Sequence, residues 1–156
     1  MYKRQARGVA DEIVKRSVDT MLECIGPDLW EEALLRPMDF GHSFSRTLET
    51  DNTFFLRHGE AVAIDMAFSC VLSYVRGDLD EPSLTAALTM LSDLGLPTWH
   101  PRFDAKMVDT ALYERVKFSS GQKIPLPTGR GVARIHNDIT DEQVAEALVE
   151  WKARCA

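Results

Sequence analysis

Arg57-His58-Gly59-Glu60-Ala61-Val62-Ala63-Ile64-Asp65-Met66-Ala67-Phe68-Ser69-Cys70-Val71-Leu72-Ser73-Tyr74-Val75-Arg76 is the stretch on which the fold turns. Its apolar residues fall on every side of a helical wheel, and a helix apolar all round belongs at the centre of a domain. Gly77 comes next as a natural C-terminal cap. Within this run Asp65 stands out, because a buried carboxylate is costly unless it is paired.

Outward from that centre the chain reads as mostly helical. Over 6–25, Val9, Ile13, Val14, Val18, Met21, Leu22 and Ile25 recur at threes and fours, the spacing of an amphipathic helix, and Gly26-Pro27 ends it. A short helical turn is expected around 29–34, and a further helix over 40–49 after Pro37. Asp80-Glu81-Pro82 has the character of a helix start, with 84–94 following before Gly95 and Pro97. Another helix is expected over 104–116. The pattern then changes: 123–126 and 132–135 alternate around Pro127-Thr128-Gly129, which reads as a short hairpin or extended arm, with Pro125 confining the first strand to an edge. Thr140-Asp141-Glu142-Gln143 is a capping box that opens a C-terminal helix carrying Val144, Leu148 and Trp151. Met1-Tyr2-Lys3-Arg4-Gln5 stands outside the periodicity of the first helix. It reads as a non-native leader, such as translated adapter DNA leaves, with an ordinary flexible terminus as the alternative, and the domain proper is taken as 6–156.

Composition narrows the function classes. The 156 residues suit one ordinary domain, and 45% hydrophobic with 27% charged residues is a globular balance. A net charge of −6 disfavours non-specific nucleic-acid binding, which needs a basic surface. No run of about 18 uncharged apolar residues is present, so no membrane span is expected. Cys24, Cys70 and Cys155 are odd in number and widely spaced, which fits reduced thiols in the cytoplasm. There is no CxxC pair, no P-loop, no GxGxxG and no nucleophile elbow.

Two histidines remain as chemistry candidates, His42 in Phe40-Gly41-His42-Ser43 and His58 in Leu56-Arg57-His58-Gly59-Glu60. Neutral imidazole ligates Zn²⁺ and similar ions, but a zinc site needs at least three protein ligands; helix caps or satisfied core histidines are the competing reading. Glu60 is either a carboxylate orienting an imidazole or a first-turn glutamate favoured by the helix dipole. Asp39, like Asp65, needs a partner or a job. Arg36 and Arg46 are candidates to pair with them or to hold a phosphate. The loop Ser119-Ser120-Gly121-Gln122-Lys123 is either an anion contact or a solvated turn. His100 and His136 read as structural or surface residues.

The ordered blocks Arg36-Pro37-Met38-Asp39-Phe40-Gly41-His42-Ser43-Phe44-Ser45, Leu48-Glu49, and Leu56-Arg57-His58-Gly59-Glu60-Ala61-Val62-Ala63-Ile64-Asp65-Met66 resemble the 3-dehydroquinate synthase superfamily of sugar phosphate cyclases. There an FGH block precedes HGEAVA by the same sixteen residues that separate His42 from His58. The resemblance implies a two-domain enzyme with an N-terminal Rossmann-like domain that binds NAD. The present chain would be its largely helical C-terminal, metal-binding domain, inactive alone. The implied metal, Zn²⁺ or Co²⁺, would take His42, His58 and a glutamate upstream of Met1. The implied reaction is transient oxidation by NAD, β-elimination of phosphate, re-reduction and intramolecular aldol closure of a small-molecule sugar phosphate, in a homodimeric enzyme. Asp39, Lys117 and Lys123 are the residues expected to touch substrate.

Departures from 3-dehydroquinate synthase point to a subgroup. Met21 stands where those enzymes carry a substrate-binding lysine, Asp39 where they carry asparagine, and Arg46 where they carry a second histidine. With Ala63-Ile64-Asp65-Met66, this pattern is similar to the sedoheptulose 7-phosphate cyclases, whose substrate has no carboxylate for a lysine to hold. Two positions depart from that subgroup as well: Arg46 replaces its usual proline, and Lys117-Phe118-Ser119-Ser120-Gly121 lacks its histidine. A 3-dehydroquinate synthase and a non-catalytic helical interaction domain of the same fold are the alternatives.

Overall fold

The structure, a computed structural model, describes residues 2–28, 30, 37–50, 56–118 and 121–156. They fall into two compact units, Met1–Met38 and Asp39–Ala156. The expected turn at 29–34, Arg36, the 50–55 stretch beyond Thr50, and Ser119-Ser120 lie outside the described residues.

The first unit is built on α1 (Tyr2–Ile25), closed by a 3₁₀ turn at Gly26–Asp28. The helix runs from Tyr2, four residues earlier than its apolar periodicity begins.

The second unit is arranged around α3 (His58–Val75). Ala61, Ile64, Ala67, Phe68, Val71 and Leu72 are all buried, as an all-round apolar helix requires. A Schellman-type cap ends it: the Gly77 amide donates to the Tyr74 carbonyl at 2.9 Å and the Asp78 amide to Ser73 at 2.9 Å. Four elements lie against α3: α2 (Ser45–Glu49), α4 (Glu81–Asp93), the hairpin strand β1 (Ile124–Gly129) and α6 (Asp141–Cys155). α5 (Ala105–Phe118) joins α2 and α6. Phe44, Phe68, Phe103 and Trp151 interlock at centroid distances of 4.7–5.9 Å, mostly tilted or edge-on, as aromatic quadrupoles prefer. The Trp151 indole N–H donates to the Thr98 carbonyl at 2.8 Å, so this buried ring leaves no donor unmet.

Start signals are where the sequence places them. Asp80 caps α4 by accepting from the Ser83 amide at 2.8 Å. Asp104 caps α5 through the Met107 amide at 2.9 Å. Thr140 and Gln143 exchange both bonds of the capping box at 3.3 and 3.2 Å.

Two expectations are corrected. The helix over 40–49 is only α2, Ser45–Glu49. Gly41 sits at φ +82°, and a Cβ there would lie 2.6 Å from Met66 Cγ, so the chain makes a tight left-handed approach to α3 before it can coil. The hairpin turn is not Pro127-Thr128-Gly129. β1 continues through those residues, and β2 (Val132–His136) pairs with it antiparallel, Ile124 opposite His136 and Gly129 opposite Val132, with an irregularity at Pro127/Gly129. The reversal falls at Arg130-Gly131, where Gly131 takes φ +72°. Among the described residues no helix is long and apolar enough to cross a membrane.

Candidate functional site

The block that carries His42 is fastened to α3 by Asp65. Its carboxylate, wholly buried, accepts from the Phe44 and Ser45 amides at 2.5 and 2.8 Å and from the Ser69 hydroxyl at 2.9 Å. These bonds are the job that a carboxylate in an apolar helix requires. Burial pushes the Asp65 carboxyl upward, while the two amides, Ser69 and Arg115 pull it back. The geometry fixes where the loop before α2 sits relative to the start of α3.

That placement brings the two histidines together. The rings of His42 and His58 have centroids 5.3 Å apart and are tilted by 54°. Two imidazoles each bound through one nitrogen at about 2.0–2.1 Å to a tetrahedral ion have ring centres roughly 5 Å apart. The spacing therefore fits one shared metal. Among the described residues no group of three or more His, Cys, Asp or Glu side chains is gathered for a metal.

The surroundings contain two residues to which periodicity gives no clue. Glu49, the last residue of α2, lies 2.9 Å through Oε1 from His58 Nδ1. Arg115, on α5, donates from Nη2 to the His42 carbonyl and lies 3.6 Å through Nη1 from the Asp39 carboxylate. A turn links the same pieces, the His42 amide donating to the Asp39 carbonyl at 2.8 Å. In the sequence Arg115 belongs to an ordinary amphipathic helix, and only the tertiary fold shows what it meets.

The other candidates have varied placements. Glu60 takes the bland role: its Oε2 accepts from the Arg57 amide at 2.8 Å, and its own amide donates to the Arg57 carbonyl at 2.9 Å, which closes the first turn of α3. Arg46 is exposed on α2. Lys117 is exposed in the last turn of α5, two residues on from Arg115 and so on a different face of the helix. Lys123 is half-buried at φ +46°, its amide donating to Asn137 Oδ1 at 2.8 Å, beside Gln122, whose side chain bonds both backbone groups of Ile139. The described part of the 119–123 loop is thus tied to the segment between β2 and α6. Met21 lies on α1 in the first unit. His100 accepts from the Arg102 amide in a turn, and His136 is buried beside Arg76.

A mainly α unit with one hairpin and a converging histidine pair defines a dehydroquinate synthase-like helical domain. Residues 2–117 match the family model described as 3-dehydroquinate synthase C-terminal, and the chain belongs to that family. It is 43% identical over 134 residues to the 2-epi-5-epi-valiolone synthase of an Actinoplanes species, covering 85% of this chain and 34% of that protein. The solved 2-epi-5-epi-valiolone synthase of Streptomyces hygroscopicus subsp. jinggangensis, with NAD⁺ and Zn²⁺ bound, superposes with a TM-score of 0.89 at 42% identity over 94% of this chain and 41% of that one. A 2-deoxy-scyllo-inosose synthase structure shares the fold at a TM-score of 0.67 and 17% identity, over 85% of this chain and 40% of that one. The chain therefore spans a little over a third of the length of the curated relatives it matches.

Proposed function

We propose that this chain is the helical half of an NAD- and metal-dependent sugar phosphate cyclase that acts on sedoheptulose 7-phosphate. The observation that carries the proposal is the convergence of His42 and His58 at 5.3 Å, in a chain 42% identical to a valiolone synthase solved with NAD⁺ and Zn²⁺. His42 and His58 would hold Zn²⁺ or Co²⁺, with the third ligand and most of the nicotinamide site supplied by sequence beyond this chain. When bound, the metal polarises substrate oxygens and NAD carries the hydride.

The chain's own residues position and bind. Arg115 braces the Asp39 carboxylate and the His42 backbone, which sets Asp39 to accept from a substrate hydroxyl. Lys117 and Lys123 offer cations for the phosphate. Met21 replaces a carboxylate-binding lysine and suits a substrate that has no carboxylate.

The test uses protein expressed from the complete reading frame, with NAD and zinc, and follows phosphate release. Sedoheptulose 7-phosphate is expected to turn over. Release only from the carboxylated seven-carbon substrate of 3-dehydroquinate synthase would overturn the substrate assignment, and silence on both would favour a non-catalytic domain.

A further inference from the structure

Glu49 and His58 lie nine residues apart in sequence, at the end of one helix and the start of the next. Both ends are held. Leu48, beside Glu49, is 2% exposed in the core, while the Arg57 amide bonded to the Glu60 carboxylate and the Glu60 amide bonded to the Arg57 carbonyl fix the first turn of α3. Asp65 ties the two helices together through Phe44 and Ser45. The contact between Glu49 Oε1 and His58 Nδ1 at 2.9 Å is thus made between two anchored backbones.

A carboxylate only accepts hydrogen bonds. The proton in this contact therefore sits on His58 Nδ1, and the lone pair of the neutral ring is left on Nε2. We infer that Glu49 is a positioning residue that locks His58 in the Nδ1–H tautomer, aims its ring, and presents Nε2 as the metal-binding nitrogen. This rests on the proposal that His58 is a metal ligand. A carboxylate on the far nitrogen of a metal-bound imidazole raises its basicity as a ligand and fixes its orientation, and loss of such a partner costs about 10–100-fold in metal affinity. His42 has its backbone carbonyl held by Arg115 instead, so the two ligands would be steadied by different means.

The test measures Zn²⁺ and Co²⁺ affinity by competition with a chromophoric chelator, on protein from the complete reading frame without substrate. His58→Ala is expected to abolish site binding. Glu49→Ala is expected to weaken it about 10–100-fold, and Glu49→Gln, which keeps an acceptor and loses the charge, by less. In the metal-free protein, ¹⁵N chemical shifts are expected to report the Nδ1–H tautomer for His58 in the wild type and a shift toward Nε2–H in Glu49→Ala. Wild-type binding that His58→Ala abolishes but Glu49→Ala changes by less than twofold would overturn the positioning role while leaving His58 a ligand. Loss in Glu49→Ala as complete as in His58→Ala would make Glu49 a ligand itself and equally overturn it. Failure of the wild type to bind metal would sink the ligand reading, and the inference with it.

Discussion

His58 and His136 occupy opposite situations in one small unit. His58 is exposed, gives one nitrogen to Glu49 and leaves the other open beside His42. His136 is 6% exposed at the end of β2, with Arg76 Nη2 3.1 Å from its Nδ1 and the Asp78 carboxylate 3.8 Å from its Nε2. Arg76 also donates to Gln143 at 2.6 Å and to the Asp138 carboxylate at 2.9 Å, so one guanidinium gathers the ends of α3, β2 and the start of α6. In the first cluster the imidazole stands in reach of solvent, whereas in the second the His136 Nε2 is buried without a hydrogen-bond partner, 3.8 Å from the Asp78 carboxylate. Imidazole next to carboxylates does not by itself mark a site; what distinguishes the two is that the His58 ring is exposed and the His136 ring is sealed in.

Four substitutions sharpen or break this contrast. The largest effect is expected for His42→Ala. Phosphate release by the complete protein should fall about a thousandfold or more, several kcal/mol of transition-state stabilisation. Its melting temperature should stay within about 2 °C, because an exposed side chain is removed. A protein that melts much earlier yet retains turnover would make His42 structural, like His136.

Asp65→Ala comes next and should damage both fold and site. Two backbone amides and a hydroxyl lose their acceptor in the core, at a cost of about 3 kcal/mol by urea unfolding. Metal affinity should fall with it, since the loop carrying His42 loses its tether. Unchanged affinity in the folded variant would show that His42 is placed by other contacts.

Arg76→Ala reverses the His42 pattern. Removing a guanidinium that is 8% exposed should cost about 2–3 kcal/mol of stability. Turnover per folded molecule should change by less than about twofold, because nothing in that cluster reaches the histidine pair.

The smallest effect concerns pH. Burial first, and Arg76 second, hold the His136 imidazole below the ordinary histidine value. A ring that binds its proton less readily when folded contributes stability above the unfolded value, and that contribution is lost as pH falls through the depressed folded value. The melting temperature should therefore drop on acidification from about pH 6.5 to 4.5 more in the wild type than in His136→Gln. Parallel curves would mean that carboxylates account for the acid sensitivity in this range.

The parts of this molecule legible in its sequence are those set by local physics. The all-round apolar run predicts α3 at the centre. Asp80 and Thr140-Gln143 announce α4 and α6, because a cap and its amides lie three residues apart. The two histidines are visible as candidates, and the resemblance joins them. Where tertiary contact overrides local pattern, the sequence misleads or is silent. The helix over 40–49 loses its first half to the close passage of Gly41 against Met66. The hairpin turn shifts to Arg130-Gly131, because β1 pairs on through two prolines whose missing amide hydrogens point to an earlier end. Arg115 meets His42 across 73 residues and Asp65 meets Phe44 across 21, separations that no helical period encodes.

The bonds from Asp65 also bear on the order in which this unit assembles. They span 21 and 20 residues, and the Glu49–His58 contact spans nine, whereas Arg76 must wait for His136 across 60. Loop-closure entropy grows with the length enclosed, and contacts close in sequence can form before the chain has gathered its distant parts. The tether of the histidine pair is thus made of short closures, to which the Arg115 bond to the His42 carbonyl, across 73 residues, adds a long one.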